Sequence, residues 1–486
     1  MRPDFVGARY PVEERNVAVA RAIGRPERVL DVGCGGGQNG AVARARGAIV
    51  TGIERDPSAR SRASRRLHEV LDVDLESIDA LHRALADRTF DLVVCADVLE
   101  HLRDPAATLR ALVEHLEEEG RVIVSLPNVA VWTVRLGLLA GRFDYEDSGV
   151  LDRTHLRFFT ERSARALCEE AGLEVLGLDQ NPMFVRALRS FITRAARATV
   201  DDFGRDPDAL ASSAGYKLYQ AAIRPLEDVV GARAPGLLAF QHVLVARKPP
   251  RPRRLRVAVG MLTLNEEGAI APMIDEIRHE LPDAEILVVD SSRDRTAEIA
   301  RSQGARVVRQ APPRGHGPAM ELLMYEAARH AEALIYLDCD FTYPTRYLRQ
   351  LRAVLEEGAV DVVNCARTRT RPPAMPLANY AANRVFAGFA RGLYGVPTTD
   401  LHSGMRAYRT SVIRAFDFDG EGDALPIDTL LLPALAGFRV VDMPIDYAER
   451  VGDSKLRKFA GTAWTFVRLA RLAAPGSRGS LRYVVR

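Results

Sequence analysis

The sequence lacks any long apolar run. No stretch of its 486 residues approaches the roughly 18 consecutive apolar residues that a membrane-spanning helix requires. The first residues, Met-Arg-Pro-Asp-Phe, also lack the apolar core of a secretory signal peptide. We therefore expect a cytoplasmic chain, soluble or at most peripheral to the inner face of the membrane.

Cysteine is scarce and scattered. The cysteines are Cys34, Cys95, Cys168, Cys339 and Cys365. They form no Cys-x-x-Cys pair, and none pairs with a histidine at metal-binding spacing. The odd number and the spacing exclude a disulfide framework and favour a reducing compartment.

Net charge is small as well. The formal charge is +3, but the segment from Arg450 to Arg486 carries nine basic residues against one acid, Asp453. This local bias could attract phosphates or an anionic membrane surface. No aromatic platform accompanies the arginines of the chain, so we expect no nucleic-acid partner.

What is present is ordinary globular composition, with 47% hydrophobic and 27% charged residues. The length suits two domains of about 250 residues each. A Pro/Arg-rich segment, Arg247-Lys-Pro-Pro-Arg-Pro-Arg-Arg-Leu-Arg256, lies at the midpoint and should run extended. We predict domains over 1–247 and 255–486, joined by a linker at 248–254.

The first half alternates strand and helix patterns, which predicts an α/β, doubly wound parallel sheet. Ligands of such sheets bind at the carboxyl ends of the strands. The first strand ends in Asp31-Val-Gly-Cys-Gly-Gly-Gly37, and the second ends in Glu54, 23 residues after Asp31. That spacing suits a carboxylate that meets ribose hydroxyls beside a glycine-rich turn.

These residues resemble the class I S-adenosylmethionine-dependent methyltransferases, a Rossmann-like family with an Asp-x-Gly-x-Gly-x-Gly motif. The resemblance implies that the glycines approach the amino-acid part of the cofactor, that Glu54 binds its ribose, that Asp74 with Leu75 lies beside the adenine, and that Asp97 lines the pocket near the sulfonium. The implied cofactor-binding set is Asp31, Gly33, Gly35, Gly37, Glu54, Asp74, Leu75 and Asp97. An NAD-binding domain and an inactive methyltransferase fold remain the alternatives.

The acceptor side of this half is harder to interpret. The segment Gly149-Val-Leu-Asp-Arg-Thr-His-Leu-Arg-Phe-Phe-Thr160 resembles one in methyltransferases of small molecules and contains His155. His155 could be a general base or a structural hydrogen-bonding group, and we interpret His101 as structural. A helical insertion at about 183–239, between the strands of a predicted terminal hairpin, could be a lid or a plain surface extension.

The second half contains a different strand–helix alternation. Its informative strand, Ala333-Leu-Ile-Tyr-Leu-Asp338, is followed by Cys339-Asp340, so two carboxylates lie on one side of the chain at the end of a buried strand. Two such carboxylates repel each other unless a cation is present. We expect a divalent metal, Mg²⁺ or Mn²⁺, bound with substrate phosphates.

Together with Leu262-Thr-Leu-Asn-Glu-Glu267 and Ile286-Leu-Val-Val-Asp-Ser-Ser-Arg-Asp-Arg-Thr296, this strand resembles family-2 glycosyltransferases of the GT-A fold, similar to polyprenyl-phosphate sugar transferases. The resemblance implies that Asp338 and Asp340 hold the metal. The implied nucleotide-sugar-binding set is Glu266, Asp290, Arg314, Asp338, Arg367, Arg450 and Lys455. The partner is then a nucleotide-sugar donor.

Two later motifs extend the match: Asp400-Leu-His-Ser-Gly-Met-Arg-Ala-Tyr408 and Arg450-Val-Gly-Asp-Ser-Lys-Leu456. If the acceptor is a hydroxyl of a glycan or small molecule, a carboxylate must take its proton, with Asp400 or Asp428 as candidates. If the acceptor is a lipid phosphate, no base is needed.

The segment 455–474 is predicted to be an amphipathic helix, with Phe466 and Val467 on its apolar side and Arg468 away from it. It could contact an anionic membrane or pack on its own domain. The leading hypothesis for the whole chain is a bifunctional methyltransferase and glycosyltransferase. The alternative is a glycosyltransferase whose first half is a silent binding or targeting module.

Overall fold

The computed structural model describes residues 16–182, 235–368, 372–373, 375–422, 425–448, 465–470, 472 and 482–483. It divides the chain into two compact units, Met1–Pro249 with Pro475–Arg486, and Pro250–Ala474. The described residues Arg482–Tyr483 pair with a strand of the first unit, whereas the predicted second domain, 255–486, included them. Among the described residues, no helix is both long enough and apolar enough to cross a membrane.

The first unit alternates strands and helices. Its strands are β1 (Arg28–Val32), β2 (Ile49–Ile53), β3 (Glu69–Leu71), β4 (Phe90–Ala96), β5 (Leu116–Pro127), β6 (Glu174–Pro182) and β7 (Ala239–Arg247). Its helices are α1 (Val17–Ala22), α2 (Gln38–Ala45), α3 (Pro57–Ala63), α4 (Ile78–Leu85), α5 (Pro105–Glu114), α6 (Trp132–Leu139), α7 (Glu161–Glu170) and α8 (Pro235–Leu238).

The strands form one sheet in the order β6-β7-β5-β4-β1-β2-β3. β1 to β5 pair in parallel, and β7 lies antiparallel between β5 and β6. The central strands β1 and β4 are buried almost throughout, as expected of a parallel sheet covered on both faces. The predicted doubly wound sheet with a terminal antiparallel hairpin is confirmed.

The second unit has its own sheet and core. Its strands are β8 (Val257–Thr263), β9 (Glu285–Asp290), β10 (Arg306–Arg309), β11 (Ala333–Tyr336), β12 (Val362–Ala366), β13 (Arg406–Arg409) and β14 (Val440–Pro444). Its helices are α9 (Ile270–Glu280), α10 (Thr296–Ser302), α11 (His316–His330), α12 (Leu348–Glu356), α13 (Leu377–Tyr394), α14 (Thr410–Arg414) and α15 (Leu425–Leu435).

This sheet has the order β10-β9-β8-β11-β13-β12-β14. β13 is antiparallel to β11 and β12, and the other pairs are parallel. The carboxyl ends of β8, β9 and β11 therefore meet at one edge of the sheet, where the sequence places its acidic motifs. A short strand, β15 (Arg482–Tyr483), pairs antiparallel with β6 and becomes the eighth strand of the first sheet.

Each end of the Pro/Arg linker is tied to the unit that it adjoins. Lys248 Nζ donates to the Leu116 carbonyl at 2.6 Å in the first unit. In the second unit, Arg253 pairs with Glu332 at 2.6 Å and Arg254 with Asp283 at 2.7 Å. Lys248, Arg253 and Arg254 are thus used in contacts within their own units.

The predicted apolar side of the C-terminal helix is wrong at the residues that the structure describes. Of this segment, 465–470 and 472 are described, and 465–470 are helical. Phe466 and Val467 are exposed, whereas Arg468 is buried against Asp428 and the carbonyls of Asp419 and Glu421. An arginine can be buried here because acceptors bind both terminal nitrogens of its guanidinium, which periodicity alone does not reveal.

Candidate active sites

The glycine-rich loop follows β1 and precedes α2. Gly33, Gly35 and Gly37 have φ values of 61°, 53° and 81°, in the left-handed region that glycine adopts readily. A Cβ on Gly33 would lie 2.6 Å from Val98 Cγ2. Glycine is therefore required at position 33 for both conformation and space, because Val98 packs against its backbone.

Glu54 lies directly against this loop, as the spacing predicted. One carboxylate oxygen accepts a hydrogen bond from the Gly35 amide at 2.9 Å, and the other accepts one from Asp56 N at 2.8 Å. The carboxylate is half-buried at the end of β2. The structure thus brings together the loop and the carboxylate that the resemblance assigns to the ribose.

Asp31 is buried inside the unit, below the loop. Its carboxylate accepts a hydrogen bond from Gly40 N at 2.9 Å and so holds the start of α2 on β1. Burial raises the pKa of Asp31 to about 7, against the lowering effect of the Gly40 amide. Its observed contacts support the loop from beneath.

The two adenine-side residues differ in exposure. Asp74 is half-exposed and pairs with Arg55 at 3.0 Å. Leu75 is 7% exposed and belongs to the hydrophobic core, while its carbonyl accepts from Thr108 Oγ1 at 3.0 Å. Of this pair, only the Asp74 side chain reaches the surface of the site.

Asp97 belongs to a polar network that sequence reasoning missed. Its carboxylate accepts from Gln241 Nε2 at 2.5 Å and from Ser125 Oγ at 3.4 Å. Asn16 and Asn181 donate to Gln241 Oε1 at 3.4 and 2.9 Å. The four other members of the network are distant from Asp97 along the chain, so no short motif links them. The signal in the sequence was limited to polar residues within apolar strands, such as Ser125 and Gln241.

Glu100, His101 and His155 form a second polar cluster near Asp97. The two imidazole rings meet edge to face with centroids 4.9 Å apart. Burial raises the pKa of Glu100 well above its usual range, and the charges of Asp97 and Asp152 add to this. Burial and His101 lower the pKa of His155, so its imidazole is neutral at neutral pH. Sequence reasoning missed Glu100, although it directly precedes His101.

Aromatic rings surround the His155 side of this cluster. Phe158 lies 6.2 Å from the His155 ring, and Phe143 and Tyr145 pack on Phe158 at 5.6 and 6.1 Å. Phe143 and Tyr145 are 39% and 51% exposed, so they form an open aromatic surface. The sequence also placed Arg153 and Arg157 beside His155, but Arg153 pairs with Asp147 and Arg157 donates to the Arg103 carbonyl.

In the second unit, Asp338 and Asp340 follow β11. Asp340 is 7% exposed, and one of its oxygens accepts from Thr342 N at 3.1 Å and Thr342 Oγ1 at 2.5 Å. Asp338 is half-buried beside Gly404, where an added Cβ would lie 2.3 Å from its Oδ2. Gly404 N also donates to the Tyr343 hydroxyl at 2.6 Å. The later motif therefore packs directly on the Asp-x-Asp pair.

Asp290 is fully buried and its carboxylate is engaged within the unit. It accepts from Thr263 Oγ1 at 2.7 Å and Ser292 Oγ at 2.5 Å, and it pairs with Arg309. Glu266 is half-buried, and its amide donates to Thr296 Oγ1 at 2.9 Å. The loops after β8 and β9 are thus joined, with Arg309 as a partner that the sequence did not single out.

Asp400 and Arg367 form a buried bidentate ion pair. Arg367 Nε and Nη2 donate to the two Asp400 oxygens at 2.7 and 3.0 Å. Burial would raise the pKa of Asp400, but the charge and hydrogen bonds of Arg367 outweigh it and hold the pKa below its usual value. Asp400 therefore has little tendency to accept a proton.

The remaining predicted site residues of this half differ in their surroundings. Asp428 pairs with Arg468 and is 6% exposed. Arg314 is exposed in the segment before α11. Arg450 and Lys455 lie outside the described residues. The structure thus brings Asp338, Asp340 and the 400–408 motif together and leaves Arg314 at the surface.

The arginine of the 400–408 motif has a structural position. Arg406 is fully buried and donates to Asn364 Oδ1 at 2.8 Å, Thr429 Oγ1 at 3.1 Å and the Leu401 carbonyl at 2.7 Å. It ties β13 to β12 and α15. This role explains an arginine in the motif without any contact to a ligand.

Comparison with known proteins assigns a family to each half. Residues 8–178 match the family model described as "Methyltransferase domain", and residues 258–416 match "Glycosyl transferase family 2". A dolichyl-phosphate hexose transferase of Haloferax volcanii is 39% identical over 209 residues, which cover 43% of this chain and 89% of that protein. A ubiquinone biosynthesis O-methyltransferase of Aromatoleum aromaticum is 32% identical over 167 residues, covering 32% and 69%.

A solved structure of glucosyl-3-phosphoglycerate synthase from Mycobacterium tuberculosis, in complex with Mn²⁺, UDP and glucosyl-3-phosphoglycerate, is 20% identical. It covers 45% of this chain and 80% of its own, with a TM-score of 0.37. The two sequence relatives, each matched over more than two thirds of its length, decide the assignment. The chain therefore belongs to the class I methyltransferases through its first half and to glycosyl transferase family 2 through its second half.

Proposed function

We propose that the chain is a bifunctional enzyme. Its first half transfers a methyl group from S-adenosylmethionine to an acceptor hydroxyl, and its second half transfers a hexose from a nucleotide-hexose to a polyprenyl phosphate. The observation that carries this proposal is that each unit has its own set of site residues at the carboxyl ends of its own parallel strands.

The first site fits S-adenosylmethionine. The three glycines give the loop after β1 its left-handed turns, and the half-buried Glu54 carboxylate lies against the Gly35 amide, where it can accept from ribose hydroxyls. The cofactor would supply an electrophilic methyl group. Glu54 would orient it, and the network around Asp97 and Gln241 would face its reactive end.

The acceptor of methyl transfer is proposed to carry an aromatic or other flat apolar group. The open surface of Phe143, Tyr145 and Phe158 beside His155 supports this choice. A hydroxyl acceptor is supported by the O-methyltransferase relative. Neutral His155 leaves its Nε2 lone pair available on the acceptor side, since Nδ1 donates to the Val150 carbonyl at 3.1 Å.

The second site fits a divalent cation with a nucleoside diphosphate. The carboxylates of Asp338 and Asp340 are hard oxygen ligands that suit Mg²⁺ or Mn²⁺. The cation would supply positive charge to the leaving diphosphate. Asp338 and Asp340 would hold it. Gly404 has no side chain, and the space that a side chain would fill is taken by the Asp338 carboxylate.

A phosphate acceptor is supported by the state of the two candidate bases. Asp400 is held by Arg367 and Asp428 by Arg468, so both carboxylates are neutralised by arginine and neither is placed to take a proton. A polyprenyl phosphate needs no proton removed before attack. This matches the dolichyl-phosphate hexose transferase relative.

The lipid part of that acceptor is supported by a row of exposed apolar side chains on α13. Val385, Phe389 and Leu393 recur every four residues and are 55%, 42% and 55% exposed. Phe466 packs on Phe389 at 6.4 Å between ring centroids. We propose that this surface, here called the α13 stripe, meets the membrane from the cytoplasmic side.

The metal assignment is tested with Asp340→Asn. We expect hexose transfer from a panel of nucleotide-hexoses with Mg²⁺ or Mn²⁺ to fall to background, while S-adenosylmethionine binding by calorimetry is unchanged. Retained transfer would rule out the metal assignment. Glu357→Gln, a change at the end of α12 away from the site, is the matched control.

The methyltransferase assignment is tested by calorimetry with S-adenosylmethionine on the wild type and on Glu54→Ala. We expect binding by the wild type and a Kd raised by about 10- to 100-fold in the variant, because a charged hydrogen bond contributes about 1.5–3 kcal/mol. Absence of heat in the wild type would leave the first half as the silent module.

A further inference from the structure

The cluster of Glu100, His101 and His155, here called the acceptor-side triad, has the composition of a metal site. One nitrogen from each imidazole and one carboxylate oxygen all lie within 4.8 Å of one another. Glu100 is 1% exposed and His155 is 8% exposed. The triad belongs to the first unit, whereas the Asp338 and Asp340 pair belongs to the second.

A second observation points to a cation here. Across the described ranges, neither carboxylate oxygen of Glu100 accepts a hydrogen bond from another residue. A buried carboxylate without donors is costly, and the acidic neighbours Asp97 and Asp152 increase the cost. A bound cation would satisfy Glu100 and offset the negative charge around it.

The orientation of both imidazoles is that of metal ligands. His101 Nδ1 lies 3.2 Å from the Thr154 carbonyl, and His155 Nδ1 lies 3.1 Å from the Val150 carbonyl. A carbonyl can only accept, so each Nδ1 is the donor and Nε2 is the ring nitrogen left for a metal. A backbone carbonyl that fixes the tautomer in this way is the usual outer partner of a metal-bound histidine.

We propose that the acceptor-side triad binds one divalent transition-metal ion, with Zn²⁺ as the best fit. Two imidazoles and one carboxylate are the protein ligands of catalytic zinc sites, which keep a further position open for water or substrate. Ligand atoms around zinc lie about 3–3.5 Å apart. The three ligand atoms lie no more than 4.8 Å from one another, so a bound ion needs to draw them together by at most about 2 Å.

The aromatic surface that we propose for the methyl acceptor adjoins His155, so the role of the ion rests on the proposed methyl transfer, although the binding of the ion to the triad does not. A coordinated acceptor hydroxyl loses its proton to solvent more readily. The resulting oxygen anion forms the O–CH₃ bond as the S–CH₃ bond breaks. The electron pair of that bond stays on sulfur, which leaves a neutral thioether.

The test uses the full chain carrying Asp338→Asn and Asp340→Asn, stripped with a chelator, so that the second unit contributes no metal site. Calorimetric titration with ZnCl₂ should show one site, and Co²⁺ in its place should give visible absorption bands of a low-coordinate nitrogen and oxygen site. Glu100→Gln and His155→Gln should each weaken Zn²⁺ binding by more than about 100-fold. Removing a residue that only hydrogen-bonds to a metal ligand already lowers metal affinity by about 10- to 100-fold.

His68→Gln is the matched control, an exposed histidine of the same unit outside the triad, and it should bind Zn²⁺ as the background chain does. S-adenosylmethionine binding is measured on every variant and reports that the unit is folded. If the background chain binds S-adenosylmethionine but no Zn²⁺, or if Glu100→Gln binds Zn²⁺ unchanged, the metal inference is overturned while the proposed function stands. If Zn²⁺ binds but S-adenosylmethionine does not, the proposed function fails and the metal site remains.

Discussion

At the scale of single residues, Gly404 is a position at which the proposed sugar-transfer site has no space for a side chain. Its missing side chain leaves the space that the Asp338 carboxylate occupies. We expect Gly404→Ala to displace that carboxylate and lower hexose transfer by about 100-fold, the effect of a misplacement of roughly 1 Å in a site. Steady-state kinetics with saturating Mn²⁺ would measure it.

Gly388 provides the control for this change. It lies exposed within α13, and an added Cβ there meets no atom within 4 Å. Gly388→Ala should keep full activity and raise stability by about 0.5–1 kcal/mol, because alanine is the better helix former. Equal activity of the two variants would contradict the proposed role of Gly404.

His402 gives the second unit a specific pH dependence. Burial lowers its pKa to about 4, and it bonds to Asn383 at 2.8 Å and Thr465 at 2.9 Å, with Asp400 and Arg367 nearby. Between pH 6.5 and 4 the unfolded chain binds a proton here that the folded unit does not. Stability should therefore fall as pH falls through this window, by up to about 1.4 kcal/mol per pH unit.

His402→Gln keeps polar groups for both partners and removes the titrating ring. Urea unfolding at pH 4.5 and pH 7 should show a smaller loss of stability at low pH in the variant than in the wild type. His279→Gln, at an exposed histidine of α9, should behave like the wild type. Equal losses in wild type and His402→Gln would refute the assignment.

Single residues also show what the sequence can predict. Gly33, Glu54 and Asp338 were predictable because short spacings fix them at strand ends, where the fold brings ligands. The burial of Asp400 beside Arg367 and of Arg468 beside Asp428 was not, because each pair joins residues more than 30 positions apart. Glu100 was missed because the residue that makes it a candidate ligand, His155, lies beside it only in the folded unit.

At the scale of elements, the α13 stripe predicts membrane contact. Replacing Val385, Phe389 and Leu393 with serine should weaken binding to anionic vesicles by at least about tenfold, because apolar area is lost from the surface that enters the lipid. Cosedimentation with vesicles would measure it. Ala378→Ser with Ala382→Ser, at exposed alanines of the same helix, is the control.

Strand ends were the most predictable feature of the elements. The strand–helix alternation predicts strand ends at Thr263, Asp290, Arg309, Asp338 and Asn364. β8, β9 and β10 end at the first three, whereas β11 ends at Tyr336 and β12 at Ala366, each two residues from the prediction. The position of β13, antiparallel between β11 and β12, did not follow from any local pattern. Pairing across a sheet depends on distant segments, and a single sequence carries no direct signal for it.

At the scale of the whole molecule, the two units have separate hydrophobic cores. We expect calorimetry to show two unfolding transitions. S-adenosylmethionine should raise the midpoint temperature of one transition, and UDP or GDP with Mn²⁺ should raise that of the other. Each increase should be about 5–10 °C at a ligand concentration of roughly 100 times Kd. In Asp340→Asn only the shift caused by the nucleotide should disappear. One transition raised by both ligands would contradict independent sites.

The place of β7 in the first sheet has a consequence for the order of events during synthesis. β7 lies between β5 and β6 and carries Gln241, the partner of Asp97. The ribosome must therefore have released residues up to about 247 before the first half can complete its acceptor end. A fragment that stops at residue 178, where the family match ends, would contain the glycine loop yet lack the strand that finishes the site.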